Sequence, residues 1–150
     1  MHYSFAIIGR VMGFIICPYA LIRGGPSERW GAAFYTVSWG LCAVLQDHHL
    51  KGPGLWVFLI DVCGLVAFAA LSIWSRKIWA LFAGAFQLNT VLSHVVWWLF
   101  PQVGLVSYVT ALGLWGGYGL LCTILMGMVG VEMERWRKRP AKAKIAARQV

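Results

Sequence analysis

An all-α membrane bundle of about five transmembrane helices, N-terminus outside and C-terminus cytoplasmic, is the fold this sequence predicts. Three observations lead there. Hydrophobic residues make up 60% of the 150 and charged residues only 12%, whereas a soluble domain carries about a quarter charged residues. The apolar residues come in blocks: 55–75 holds one charge, and 78–100 and 103–131 hold none. About 20 apolar residues wound as helix match a hydrocarbon layer of roughly 30 Å, and the strict alternation of a β-barrel is missing. Finally, eleven of the thirteen Lys and Arg residues fall on one side of a five-span topology, which the positive-inside rule makes cytoplasmic.

Taken in order, the first span covers about 3–22. It contains Arg10 and Pro18, and the proline is expected to kink the helix or end its regular hydrogen bonding. Arg23-Gly24-Gly25-Pro26-Ser27-Glu28-Arg29 reads as a turn into the second span, about 30–46. Asp47, His48 and His49 begin a polar, breaker-rich connection to the third span, 55–75. Arg76-Lys77 turns tightly into the fourth, 78–100, and Pro101-Gln102 separates it from the fifth, 103–131. Twenty-nine residues of helix measure roughly 43 Å, more than the bilayer needs, so tilt or an interfacial first turn is expected. Residues 1–131 thus form the bundle and 132–150 a basic tail. Trp30, Trp56, Trp74, Trp79, Trp97, Trp98 and Trp136 lie near the predicted helix ends, as an interfacial belt requires. The start of the chain lacks the basic n-region of a signal peptide.

Ionisable residues inside a span are expensive and face protein or water. Arg10, Asp61 and His94 are the three here. Counted from the outer ends of their helices, each lies roughly 10 Å deep, so they share one layer in the outer half of the membrane. An Arg10–Asp61 ion pair with His94 hydrogen-bonded nearby is the structural reading, and a proton-handling or ligand site is the functional one. Gln87, Thr90 and His94, at i, i+3 and i+7, lie on one face of the fourth helix. Asp47, His48 and His49 would cap the second helix on the outer side.

No metal site and no cofactor are predicted. A haem b held by His94 with His48 or His49 has the ligand types but nothing that fixes the geometry. Cys17, Cys42, Cys63 and Cys122 sit in separate apolar stretches without C-x-x-C spacing, which reads as free thiols. Gly9, Gly13, Gly113, Gly116, Gly117, Gly119, Gly127 and Gly130 mark faces where helices can approach closely. In the tail, Arg135, Arg137, Lys138, Arg139, Lys142 and Lys144 suit anionic lipid headgroups, each attracted by about 1 kcal/mol near the surface, or an acidic partner. Nucleic acid is not expected without an accompanying domain.

No phosphate loop, nucleophile motif, H-E-x-x-H or paired carboxylate occurs, so little supports an enzyme. The expected function is a small accessory or scaffold subunit of a larger complex in a bacterial-type inner membrane, packed against other subunits or itself. The alternatives are a proton-coupled carrier using the Arg10/Asp61/His94 layer and a haem- or quinone-linked redox protein.

Overall fold

The computed structural model describes residues 2–46, 53–100 and 102–146, with side chains from residue 7 to residue 138. The described residues form helices and no strand. Four are α1 (His2–Arg23), α2 (Pro26–Leu45), α3 (Gly54–Ser75) and α4 (Ile78–Leu99). The fifth rod is continuous: α5 (Leu105–Leu112), a π-helical stretch (Gly113–Gly119) and α6 (Leu120–Ala146). Three of the rods, α3, α4 and residues 105–138 of the fifth, are long and apolar enough to cross a membrane.

Each boundary has a local cause. α2 begins at Pro26, four residues earlier than the apolar pattern suggests, because proline suits the first helical position and Glu28 sits in the first turn. Helix α1 runs through Pro18 to Arg23 instead of stopping there. The two-residue link that follows needs glycine: a Cβ on Gly24 would collide with the Ala20 carbonyl and lie 2.9 Å from the Glu28 side chain. Arg29 reaches back to seal the end of α1, its guanidinium donating to the carbonyls of Gly24 (3.0 Å) and Ile22 (3.1 Å). Arg76 ends α3 in the left-handed conformation, φ 52°, with its N–H on the Ser72 carbonyl. Lys77, extended, then starts α4.

Short links make consecutive rods antiparallel, so one end of the bundle gathers Arg23, Arg29, Arg76, Lys77 and the α6 extension. We call it the basic end, and the opposite end, at Gln46 and Pro53, the far end. The main core lies toward the basic end: Ile16, Cys17 and Ala20 of α1, Ala32 of α2, Ala80 and Ala83 of α4, and Leu121, Ile124 and Met128 of α6 are among its members. Outward faces are apolar, with Phe14, Val44 and Ile73 among the most exposed side chains. Five of the belt tryptophans, Trp30, Trp56, Trp74, Trp98 and Trp136, are exposed. Trp79, expected with them, is buried, because its indole N–H has a carboxylate partner inside. The four cysteines are free thiols.

Candidate functional site

The polar stripe of α4 turns inward: Gln87, Thr90 and His94 are all buried, His94 completely. Asn89 and Ser93, one position round, are satisfied by carbonyls of their own helix. Asp61 on α3 meets the stripe. Its Oδ1 accepts from Gln87 Nε2 at 2.9 Å, and that same nitrogen donates to the Asp61 carbonyl at 3.0 Å. Its Oδ2 lies 2.9 Å from His94 Nε2. The other ring nitrogen, Nδ1, lies 2.6 Å from the Tyr108 hydroxyl of α5. A carboxylate only accepts, so in the neutral ring Nε2 carries the hydrogen and the Tyr108 O–H donates to Nδ1. The result is one unbroken chain, Tyr108 to His94 to Asp61, across three helices.

Aromatic rings pack around this chain. Trp97 stacks on Tyr108 at 4.8 Å and 9°, and Phe58 meets both His94 and Trp98 edge to face. Glycine clears the space for Gln87, since a Cβ on Gly64 would stand 2.9 Å from its Nε2. Two acceptors of Asp61 fix the amide's orientation, which leaves Gln87 Oε1 buried with no partner among the described residues. An unmet buried acceptor costs about 1–3 kcal/mol, and sites tolerate that cost where the group has another state to serve.

The chain ends at a cavity. Its volume is about 440 Å³, and its wall includes Arg10, Tyr35, Trp39, Asp61, Gln87 and Thr90. It runs from Gln46 and Pro53 at the far end down to Phe68 and Leu121, roughly 22 Å along α3. The π-helical stretch supplies Gly113, Gly116, Gly117 and Tyr118 to the wall. Such stretches widen a helix locally and occur often at functional sites. Here the wider turn seats Gly116 against Thr90, where a Cβ would lie 3.0 Å away, and leaves Gly117 facing empty space.

Arg10 and Asp61 therefore line the same cavity, but the expected ion pair between them is not formed among the described residues. His94 and Gln87 occupy both carboxylate oxygens of Asp61, while Arg10 is exposed and makes no hydrogen bond or ion pair there. Asp47, His48 and His49 lie outside the described residues. His94 has both ring nitrogens engaged, so axial ligation of a haem would have to displace Asp61 or Tyr108. No cluster of three metal-ligating side chains exists among the described residues.

A second polar cluster closes the basic end. Glu28, fully buried, accepts from Trp79 Nε1 at 2.7 Å, Lys77 Nζ at 2.8 and 3.0 Å and Ser27 Oγ at 3.1 Å. Gly31 and Gly127 lie flat against the Trp79 ring; a Cβ on either would stand 2.8 to 3.0 Å from it. Nearby, Glu132 of α6 receives Arg135 (2.7 Å), Tyr19 (3.3 Å) and Arg23 (3.5 Å), and Arg135 also donates to the Arg23 carbonyl at 2.6 Å. Desolvation pushes the Glu132 carboxyl up, but Arg135, Arg23 and Tyr19 outweigh it and hold it below the usual carboxylate value. Lys138 lowers Glu134 in the same way. The side chains of Arg139, Lys142 and Lys144 lie outside those described; Arg137 is exposed.

Several glycines of the packing set contact side chains within the chain. Gly9 faces the Tyr118 ring, Gly116 Thr90 and Gly127 Trp79, and a Cβ on Gly13 would lie 4.0 Å from the Tyr35 ring; Gly117 and Gly130 face open space.

Reading spacing along single helices misses Tyr108 and Glu28. Tyr108 could have been found by depth, since it enters three residues below the start of α5, in the layer of His94. Glu28 follows a proline and shares its end of the molecule with Lys77, the pattern of a helix start paired across the bundle. Comparison of the chain with protein-family profiles, characterised proteins and solved structures finds no match.

Proposed function

We propose that the chain is a proton-linked membrane carrier, with five spans, its basic end cytoplasmic and its cavity facing outside. The observation that carries this is the Tyr108–His94–Asp61 chain ending on the wall of a cavity that also holds Arg10. Aspartate and histidine within a membrane are the groups that proton relays use. Asp61 takes the proton. While ionised it binds the Nε2–H groups of His94 and Gln87, and Gln87 Oε1 stays unmet. Once protonated, Asp61 becomes a donor; rotation of the Gln87 amide lets Oε1 accept from it. That exchange loosens α3 from α4 at the cavity wall, which links protonation to the shape of the cavity. The basic residues at the opposite end orient the bundle and contact anionic headgroups.

The test uses the whole chain in liposomes containing a trapped pH-sensitive dye, challenged with anionic, cationic and neutral amphiphiles. A solute that drives dye-reported proton movement in the native protein and not in Asp61→Asn supports the reading. Failure of every class to move protons in folded protein overturns it.

The accessory-subunit reading keeps one observation of its own. An apolar groove of about 320 Å³ runs between α2 and α3, walled by Trp30, Phe34, Leu71 and Trp74. Copurification after gentle solubilisation decides it: a chain recovered alone and monodisperse is no subunit.

A further inference from the structure

Resting on the carrier reading of the cavity, we infer that its substrate is an organic monoanion with an apolar body, and that Arg10 is the residue that holds the charge. Among the described residues two charged side chains line the cavity, Arg10 and Asp61, and their situations are opposite. Both oxygens of Asp61 are engaged, one by Gln87 and one by His94, so its charge is already met by donors of the protein. Arg10 is exposed and bonded to nothing among the described residues. It stands about eight residues inside α1, roughly 12 Å from the helix start, where an unmet guanidinium is costly. The unspent charge of the cavity is therefore positive, and guanidinium geometry suits a carboxylate, sulfonate or phosphate, which it can hold with two parallel hydrogen bonds.

The remaining wall defines the body of the ligand. Phe34, Trp39, Val57, Val109 and Leu112 give it an apolar, partly aromatic lining, and a volume of about 440 Å³ lies within the range of small-molecule sites. The proton then has a reason. Bringing an anion beside Asp61 sets like charges together, and a proton on Asp61 removes that repulsion. Anion and proton thus favour each other's binding, the thermodynamic condition for moving together.

Naphthalenesulfonate, a fixed organic anion, is the probe, with naphthylmethylammonium and naphthylmethanol as equal-sized controls. Binding is measured by equilibrium dialysis of the protein in lipid nanodiscs against empty nanodiscs. The sulfonate is expected to bind more tightly than either control, and more tightly at acid pH. Arg10→Gln should weaken it by about tenfold or more, the loss of a charge-assisted hydrogen bond, while Arg10→Lys keeps most of the affinity. Because Arg10 bonds to nothing among the described residues, neither change should unfold the bundle. Gly117→Leu, which fills the cavity from a position with open space beside it, should abolish binding in protein of native stability. Equal sulfonate affinity in Arg10→Gln overturns the assignment. So does preference for the ammonium; that result leaves the carrier reading standing, whereas proton movement with no amphiphile at all sinks the carrier itself.

Discussion

The two halves of this bundle use buried charge in contrasting ways. Toward the basic end, Glu28 is surrounded by donors from α2 and α4, and around it small residues, Ala20, Ala32, Ala80 and Ala83, reach zero exposure. Toward the far end, Asp61 has donors too, but it borders a cavity, one acceptor beside it is unmet, and a cation on the same wall is bonded to nothing described. Full satisfaction and tight packing make a rigid closure. Partial satisfaction beside free volume makes a site with somewhere to go. The same helix, α4, serves both: Trp79 and Gln87 are eight residues apart, roughly 12 Å.

If the basic end is a closure, damage there should show mainly in stability. Glu28→Ala leaves the Trp79 indole N–H buried without an acceptor and releases Lys77; because Lys77 is partly exposed, the expected loss is about 2–3 kcal/mol. Thermal unfolding in detergent checks it, and a loss under about 1 kcal/mol would place the closure elsewhere. Gly127→Val comes next. A Cβ there already meets the Trp79 ring at 3.0 Å, so the branched side chain should cost about 1–3 kcal/mol by overpacking. Should the protein accept it without loss, α4 and α6 are less tightly joined than the close approach implies.

At the far end the expected balance reverses. Tyr108→Phe removes one hydroxyl and leaves His94 Nδ1 unmet, a cost of about 1–2 kcal/mol, while proton coupling is lost. The comparison sharpens if stability barely falls and coupling vanishes. It breaks if the variant unfolds like Glu28→Ala, since Tyr108 would then be a fastener of the same kind.

The contrast between the halves also explains what could be read in the chain beforehand. Apolar run length places α3 and α4 to within a residue or so: 55–75 against Gly54–Ser75, and 78–100 against Ile78–Leu99. Helical periodicity puts Gln87, Thr90 and His94 on one face because that relation lies within a single helix. Glu28 looks like part of a polar turn, since Arg-Gly-Gly-Pro-Ser-Glu-Arg has the composition of a loop; only the fold supplies Trp79 and Lys77 to bury it. Trp79 and Tyr108 fail for the same reason. Their roles depend on which helix lies opposite, and no spacing within one helix encodes that. The π-helical stretch is hidden as well, because four glycines in seven residues suggest close packing before they suggest a widened turn.

The smallest effect concerns the edge of the closure, where α6 is tied to α1 through Glu132. Its carboxyl is held below the usual value by Arg135, Arg23 and Tyr19, against the opposing pull of desolvation. A depressed value means that the folded protein binds the proton less readily than the unfolded chain does. The tie therefore contributes fully above the ordinary glutamate value of about 4.3 and fades as pH falls through the lower, folded one. A distance probe between the end of α1 and the start of the tail should stay constant from neutral pH down to about 4.3, and lengthen only below it. Lengthening already near neutrality would mean that Glu132 is not what fastens α6. Proton-driven change at mildly acid pH would then have to be sought at both ends of the bundle, and the division between a passive closure and a responsive site would fall.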